Sequence, residues 1–134
     1  MTAEKAPAWL TQIQVLMLHS ESIQLFGGRP GVRDAGLLES ALGRPKNKCH
    51  SDPGLSLFDL AAANAFGIAR NHPFMDGNKR AGLLAIRVFL FTNGYAFDPE
   101  ETETVTVIEG LAAGSIDEDA LAGWIKANAA ERMP

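Results

Sequence analysis

Residues 78–94 read NKRAGLLAIRVFLFTNG and predict a helix that is apolar around nearly its whole circumference. We expect this helix to run from about Asn78 to Asn93 and to stop at Gly94, a residue type that commonly ends helices. A helix that is apolar on all sides belongs in the middle of a bundle. The stretch therefore predicts an all-α fold arranged around a buried central helix.

Helix signals recur on both sides of this segment, and strand signals do not. About six helices are predicted, and most begin at a recognisable capping residue. Besides the one at 78–93, they begin at Thr11, Asp34, Ser56, Asp98 and Asp117. The sequence thus predicts a single-domain helical bundle over residues 1–134.

The second of these helices is expected to be short. It carries Leu37, Leu38 and Leu42 and meets Gly43 and Pro45, which are typical of a helix end. Residues 45–55, PKNKCHSDPGL, have no apolar periodicity. We expect them to form an exposed loop long enough to act as a flap.

Composition excludes several classes of protein. With 134 residues, 46% hydrophobic and 21% charged, the chain resembles an ordinary globular domain rather than a disordered or fibrous one. Its longest nearly apolar stretch, 81–91, is too short to span a membrane. The N-terminal residues lack the pattern of a secretory signal, and Cys49 is the only cysteine, so we expect a cytoplasmic protein.

Charge is distributed unevenly along the chain. The net charge of -4 disfavours a general nucleic-acid binder. Residues 29–87 nevertheless hold nine Lys and Arg against five Asp and Glu, whereas residues 88–134 hold two against nine. The basic middle is either a phosphate-binding centre or a solvated face, and composition alone favours the solvated face.

The segment 71–80, NHPFMDGNKR, lies between a predicted helix end and a predicted helix start. The first turn of a helix presents unpaired backbone N–H groups and the positive end of the helix dipole. Gly77 allows close approach of a ligand, and Asn78, Lys79 and Arg80 add side-chain donors. Cations at a helix N-terminus cost roughly 0.3–1 kcal/mol each, so an anion is expected to offset them.

Two further side chains of this segment suit transfer chemistry. His72 can accept a proton near neutral pH. Asp76 is a hard oxygen ligand suited to Mg²⁺ that bridges phosphates. Together with the phosphate cradle they indicate a phosphoryl or nucleotidyl transferase. The alternatives are an ordinary turn and, less favoured, a zinc site, because two ligands are too few.

The run His72-Pro73-Phe74-Met75-Asp76-Gly77-Asn78-Lys79-Arg80 resembles the signature of the Fic/Doc family. It matches the pattern H-x-F-x-[DN]-[AG]-N-K-R of the Doc (death-on-curing) branch, and the likeness covers about residues 10–128. The resemblance implies an all-helical bundle and a toxin of a toxin–antitoxin pair. Such a toxin would use ATP and Mg²⁺ to phosphorylate a hydroxyl of a translation protein such as elongation factor Tu.

The resemblance also implies residue roles. His72 would be the general base on the target hydroxyl, and Asp76 the Mg²⁺ ligand. The phosphate contacts would be Gly77, Asn78, Lys79 and Arg80. Phe74 would anchor the loop in the core, and Arg70 would either reach phosphate or lie exposed at a helix end.

Two alternative functions remain open from sequence. The AMP-transferring Fic pattern requires Gly in place of Lys79 and Arg in place of Leu83, so kinase chemistry is favoured over AMP transfer. The other alternative is an inactive module that only binds a partner.

Inhibition of such a toxin is expected to come from a separate antitoxin protein. A segment at Val105 to Gly110 nearly matches the Fic autoinhibitory pattern but has Val in place of Ser or Thr, and we interpret it as coincidence. The antitoxin is expected to dock as an amphipathic helix in a groove. Candidate surfaces are the first helix and the stripe Leu121, Trp124 and Ile125.

Overall fold

A computed structural model describes residues 6–132 of the chain, and in this part the predicted all-α architecture is confirmed. The helices and strands are α1 (Gln12–Phe26), α2 (Ala35–Ser51), α3 (Leu57–Asn71), α4 (Asn78–Thr92), β1 (Tyr95–Phe97), α5 (Glu101–Ala113), α6 (Glu118–Ala127) and β2 (Ala129–Glu131). Capping boxes form at Thr11 and Ser56, as the sequence predicts. No helix among the described residues is long and apolar enough to cross a membrane.

The central helix is α3, which contacts α2, α4, α5 and α6. Nine of its residues are buried, and five of these are alanines. Small side chains let neighbouring helices approach α3 from several sides. α4 packs against α3, but Phe91 on its outer face is 57% exposed. The prediction that α4 is the central helix is therefore wrong, although α4 contributes much of the core.

α2 continues through Pro45 to Ser51, so the predicted end at Pro45 and most of the predicted flap are wrong. Pro45 has no N–H to donate to the carbonyl of Ala41. Packing compensates for this loss, because Pro45 is buried and Gly67 of α3 lies against the backbone of Ala41. The last turns of α2 are also held by Arg44 and Lys48, which both pair with Glu118 of α6.

Two short strands were not predicted. β1 pairs antiparallel with β2, with Ala96 opposite Ala130. Three residues are too few to show a period of two, and Ala129-Ala130-Glu131 has no β-branched or aromatic residue. The start of α5 also differs, because Glu100 caps it rather than Asp98.

α6 begins after Asp117, whose side chain accepts from the backbone N–H of Ala120. Leu121 and Ile125 are completely buried, and the ring of Trp124 lies edge-on against that of Phe97. The stripe formed by these three α6 residues is therefore core rather than a docking surface.

Candidate functional site

The segment between α3 and α4 is a short loop whose two ends adopt left-handed backbone conformations. His72 ends α3 at φ 52° and ψ 57°, and Gly77 precedes α4 at φ 74° and ψ 22°. Gly77 takes such angles easily because it has no Cβ. His72 is the only non-glycine residue with positive φ in the described part of the chain.

Phe74 anchors this loop in the core, as expected. Its side chain is 1% exposed, and its ring stacks on that of His19 from α1. The Asn78 side chain fixes the same residue, because its Oδ1 accepts from the Phe74 N–H at 2.9 Å and its Nδ2 donates to the Phe74 carbonyl at 3.1 Å. Asn78 thus serves to close the loop, which leaves one amide N–H for other contacts.

Asp76 lies exposed at the turn and accepts two backbone hydrogen bonds. The N–H of Arg29 donates to Oδ2 at 3.1 Å, and the N–H of Gly77 donates to Oδ1 at 2.9 Å. These two bonds, that from Arg29 first, lower the pKa of the Asp76 carboxyl below its ordinary value, since donors stabilise the charged form. The group is therefore an anion at neutral pH.

The two cations of the motif have different partners. Arg80 reaches back to α1, where its Nη1 donates to Ser22 Oγ at 3.2 Å and its guanidinium lies over the Phe26 ring. Lys79 pairs with Glu109 of α5, with Nζ 2.6 Å from Oε1. Both members of that pair are about half exposed, so the interaction is weak enough for a ligand to compete with it.

One cavity of about 680 Å³ is lined by every residue predicted for the site. Its floor is made by His72, Asp76, Gly77, Asn78, Lys79 and Arg80. The opposite wall is provided mainly by α5, through Thr104, Val105, Ile108, Glu109 and Ala112. The cavity therefore combines a polar, cation-bearing floor at a helix N-terminus with a largely apolar wall, an arrangement that can hold a phosphorylated ligand.

Comparison with known proteins gives the family of the chain. The profile of the Fic/DOC family matches residues 9–90. The chain belongs to the Fic/Doc family. Among its Fic/Doc relatives, "Protein kinase doc" of Escherichia phage P1 is 33% identical over 114 residues, covering 84% of this chain and 89% of that protein. "Toxin Doc" of Mycolicibacterium smegmatis is 37% identical over 110 residues, covering 78% of this chain and 83% of that protein.

Several residues around the Fic/Doc motif were not found from sequence. The α5 wall was missed because its contribution depends on how two helices pack. Glu109 fell within the near match at Val105 to Gly110, and its contact with Lys79 is not visible in the sequence. Arg70 is absent from the cavity lining, and its guanidinium lies over the ring of Phe66. That position fits the expected helix-end residue rather than a phosphate contact.

Proposed function

We propose that this chain is a Doc-type toxin that transfers the γ-phosphoryl group of ATP to a Thr or Ser hydroxyl of a translation protein, with elongation factor Tu as the first candidate. The observation that carries the proposal is the meeting of His72, Asp76 and the 77–80 segment in one cavity. The names of the two relatives, a protein kinase and a toxin, support the same activity.

His72 acts as the general base. Its imidazole accepts the proton of the target hydroxyl while the hydroxyl oxygen forms a bond to the γ-phosphorus. The bond from that phosphorus to the bridging oxygen breaks, and ADP leaves. Asn78 presents its backbone N–H to the phosphates, Gly77 lets them approach closely because it has no side chain, and Lys79 and Arg80 supply positive charge.

Asp76 is the residue that would bind Mg²⁺. Each of its carboxylate oxygens accepts one backbone N–H and keeps a further lone pair, so the group fits a cation that takes one or two carboxylates plus substrate phosphates. When bound, Mg²⁺ would offset phosphate charge during transfer.

Transfer of AMP is the alternative within the family. Lys79 and Leu83 both line the cavity at positions where the AMP-transferring pattern has Gly and Arg. The Lys79 side chain fills space at the floor of the cavity that a glycine would leave free. Leu83 cannot bind phosphate as an arginine at its position would. Both residues favour phosphoryl transfer.

A cognate antitoxin is the proposed partner, and the cytoplasm the proposed location. Of the two surfaces expected from sequence, α1 alone offers exposed apolar side chains. These are Ile13, Met17, Leu25 and Phe26. Ile13 and Met17 are one turn apart on the same face of α1, and an amphipathic antitoxin helix docking on that face would bury them.

The deciding experiment is intact-mass spectrometry of elongation factor Tu after incubation with this protein, ATP and Mg²⁺. Phosphorylation adds about 80 Da to the target, AMP transfer adds about 329 Da, and an inactive binding module adds nothing. His72→Ala is the control, and loss of the general base should slow transfer by about 10²- to 10⁴-fold. No mass change on elongation factor Tu or on the other proteins of a cell extract would contradict the proposal.

A further inference from the structure

Arg33, in the loop between α1 and α2, donates hydrogen bonds to the carbonyls of three consecutive residues at the end of α3. Its Nε donates to the carbonyl of His72 at 2.7 Å, and its Nη2 donates to the carbonyl of Asn71 at 2.8 Å. Its backbone N–H donates to the carbonyl of Pro73 at 2.7 Å. One residue thus fixes the direction of three successive peptide groups around His72.

These carbonyls need partners because of where they lie. The last carbonyls of a helix have no intrahelical donor, and they form the negative end of the helix dipole. A guanidinium supplies two parallel donors and a positive charge, which matches both requirements. The fork of Arg33 therefore caps α3 at the residue that precedes the motif loop.

The same contact bears on the strained backbone of His72. A left-handed conformation is disfavoured for residues with a Cβ and persists only where surrounding contacts impose it. Rotation of His72 into an ordinary helical or extended conformation would turn its carbonyl away from the Arg33 Nε. The hydrogen bond therefore selects the left-handed state, and this state sets the direction in which the imidazole leaves the backbone.

Arg33 is itself held firmly enough to act in this way. Val32 forms an antiparallel bridge with Phe74, and the N–H of Met75 donates to the carbonyl of Gly31 at 3.0 Å. On the other side, Asp34 caps α2. The guanidinium is thus attached to a segment already bonded to the motif loop.

We propose that Arg33 is a positioning residue for His72, a proposal that rests on the assigned role of His72 as general base. Arg33 is not part of the cavity lining, so it acts through the backbone of His72 and not by touching substrate. Its loss should lower the rate of proton transfer more than it weakens nucleotide binding.

The test compares Arg33→Ala and Arg33→Lys with a matched control. Arg132→Ala removes a similar contact, because the Arg132 Nε donates to the carbonyl of Phe91 at 3.0 Å at the far end of α4. We expect Arg33→Ala to lower kcat by about 10- to 100-fold, since small displacements of a reacting group have effects of this size. The KM for ATP should change by less than about 3-fold, because the phosphate cradle is intact.

Two observations separate positioning from a general loss of structure. Guanidinium ion at a sub-denaturing concentration should restore part of the kcat of Arg33→Ala but not that of His72→Ala. Arg33→Lys should have a lower kcat than Arg33→Ala supplemented with guanidinium ion, because the lysine ammonium lacks the two parallel donors of a guanidinium. Equal losses in Arg33→Ala and Arg132→Ala, or a loss confined to the KM for ATP, would overturn the proposal.

A readout without catalysis keeps this proposal apart from the proposed function. The NMR shifts of the His72 Cα and Cβ report its backbone conformation, and we expect them to move in Arg33→Ala and to stay in Arg132→Ala. If the parent protein transfers nothing yet these shifts move, the kinase assignment fails and the Arg33 contact stands. If they do not move, the positioning role fails whatever the activity.

Discussion

The imidazole of His19 lies flat on the phenyl ring of Phe74, with ring centroids 3.8 Å apart and planes 7° from parallel. His19 Nε2 is also 2.8 Å from the backbone oxygen of Asp76. Because a carbonyl only accepts, Nε2 carries the proton in this contact. One buried side chain of α1 therefore holds the motif loop by a stack and by a hydrogen bond.

Separate variants of His19 should distinguish these two contacts. His19→Phe keeps a ring against Phe74 but leaves the Asp76 carbonyl without its donor, and we expect a loss of about 1–3 kcal/mol in the free energy of unfolding. His19→Gln keeps an N–H donor and loses the ring. Urea denaturation and phosphorylation rates check both variants. Higher activity in the Phe variant than in the Gln variant would show that the stack matters more.

Glu109→Gln should strengthen nucleotide binding. The change frees Lys79 from its ion pair, which as an exposed contact is worth at most about 1 kcal/mol. We therefore expect the KM for ATP to fall by about 2- to 5-fold. Glu101→Gln is the control, since it removes the same charge from α5 outside the cavity lining. Equal effects of the two variants would indicate a long-range charge effect and not the release of Lys79.

Gly67→Ala should destabilise the fold. A Cβ at Gly67 would lie 2.9 Å from the Ala41 Cβ and 3.0 Å from its Cα, closer than these atoms tolerate. We expect a loss of about 1–3 kcal/mol in the free energy of unfolding, as for other overpacked cores. Gly123→Ala in α6 is the matched control, because nothing lies within 4 Å of an added Cβ there. That control should gain about 0.5–1 kcal/mol, and a similar gain at Gly67 would contradict the close approach of α2 and α3.

Glu100 should make stability depend on pH. Backbone N–H groups of Glu103 and then Thr102 lower the pKa of its carboxyl in the folded protein. A lowered pKa stabilises the fold above the unfolded value of about 4.3. This contribution is lost as pH falls through the lower, folded pKa.

The measurement for Glu100 is urea denaturation of the parent and Glu100→Gln at several pH values. We expect the parent to be the more stable protein near neutrality and the difference to shrink below about pH 4. A difference that stays constant into acid would show that the charge of this cap contributes nothing.

Local signals predicted most of the fold and the floor of the site. The capping residues Thr11, Ser56 and Asp117 each belong to a signal about four residues long that marks a helix start. The motif from His72 to Arg80 is contiguous, so both kinds of signal can be recognised in one sequence. The parts that were missed depend on contacts between distant segments. The continuation of α2 through Pro45 depends on its contacts with α3 and α6. Those contacts do not follow from any short-range sequence pattern.

The same reasoning explains why His19 and Arg33 were not found. Each contacts the motif loop across more than 35 residues of sequence. The residues next to each of them in the sequence do not show these contacts. Their roles follow from the way α1 and the 27–34 loop fold back onto the motif.

The left-handed backbone of His72 sets the proposed catalytic role of this residue against the stability of the fold. For most L-residues this conformation costs roughly 1–2 kcal/mol, and asparagine is among the few that tolerate it. Replacing His72 by asparagine should therefore give a protein that melts at a higher temperature and transfers phosphate about 10²- to 10⁴-fold more slowly. If His72 is the general base as proposed, folding and catalysis favour different residues at this position, and selection for stability alone would favour replacing this histidine.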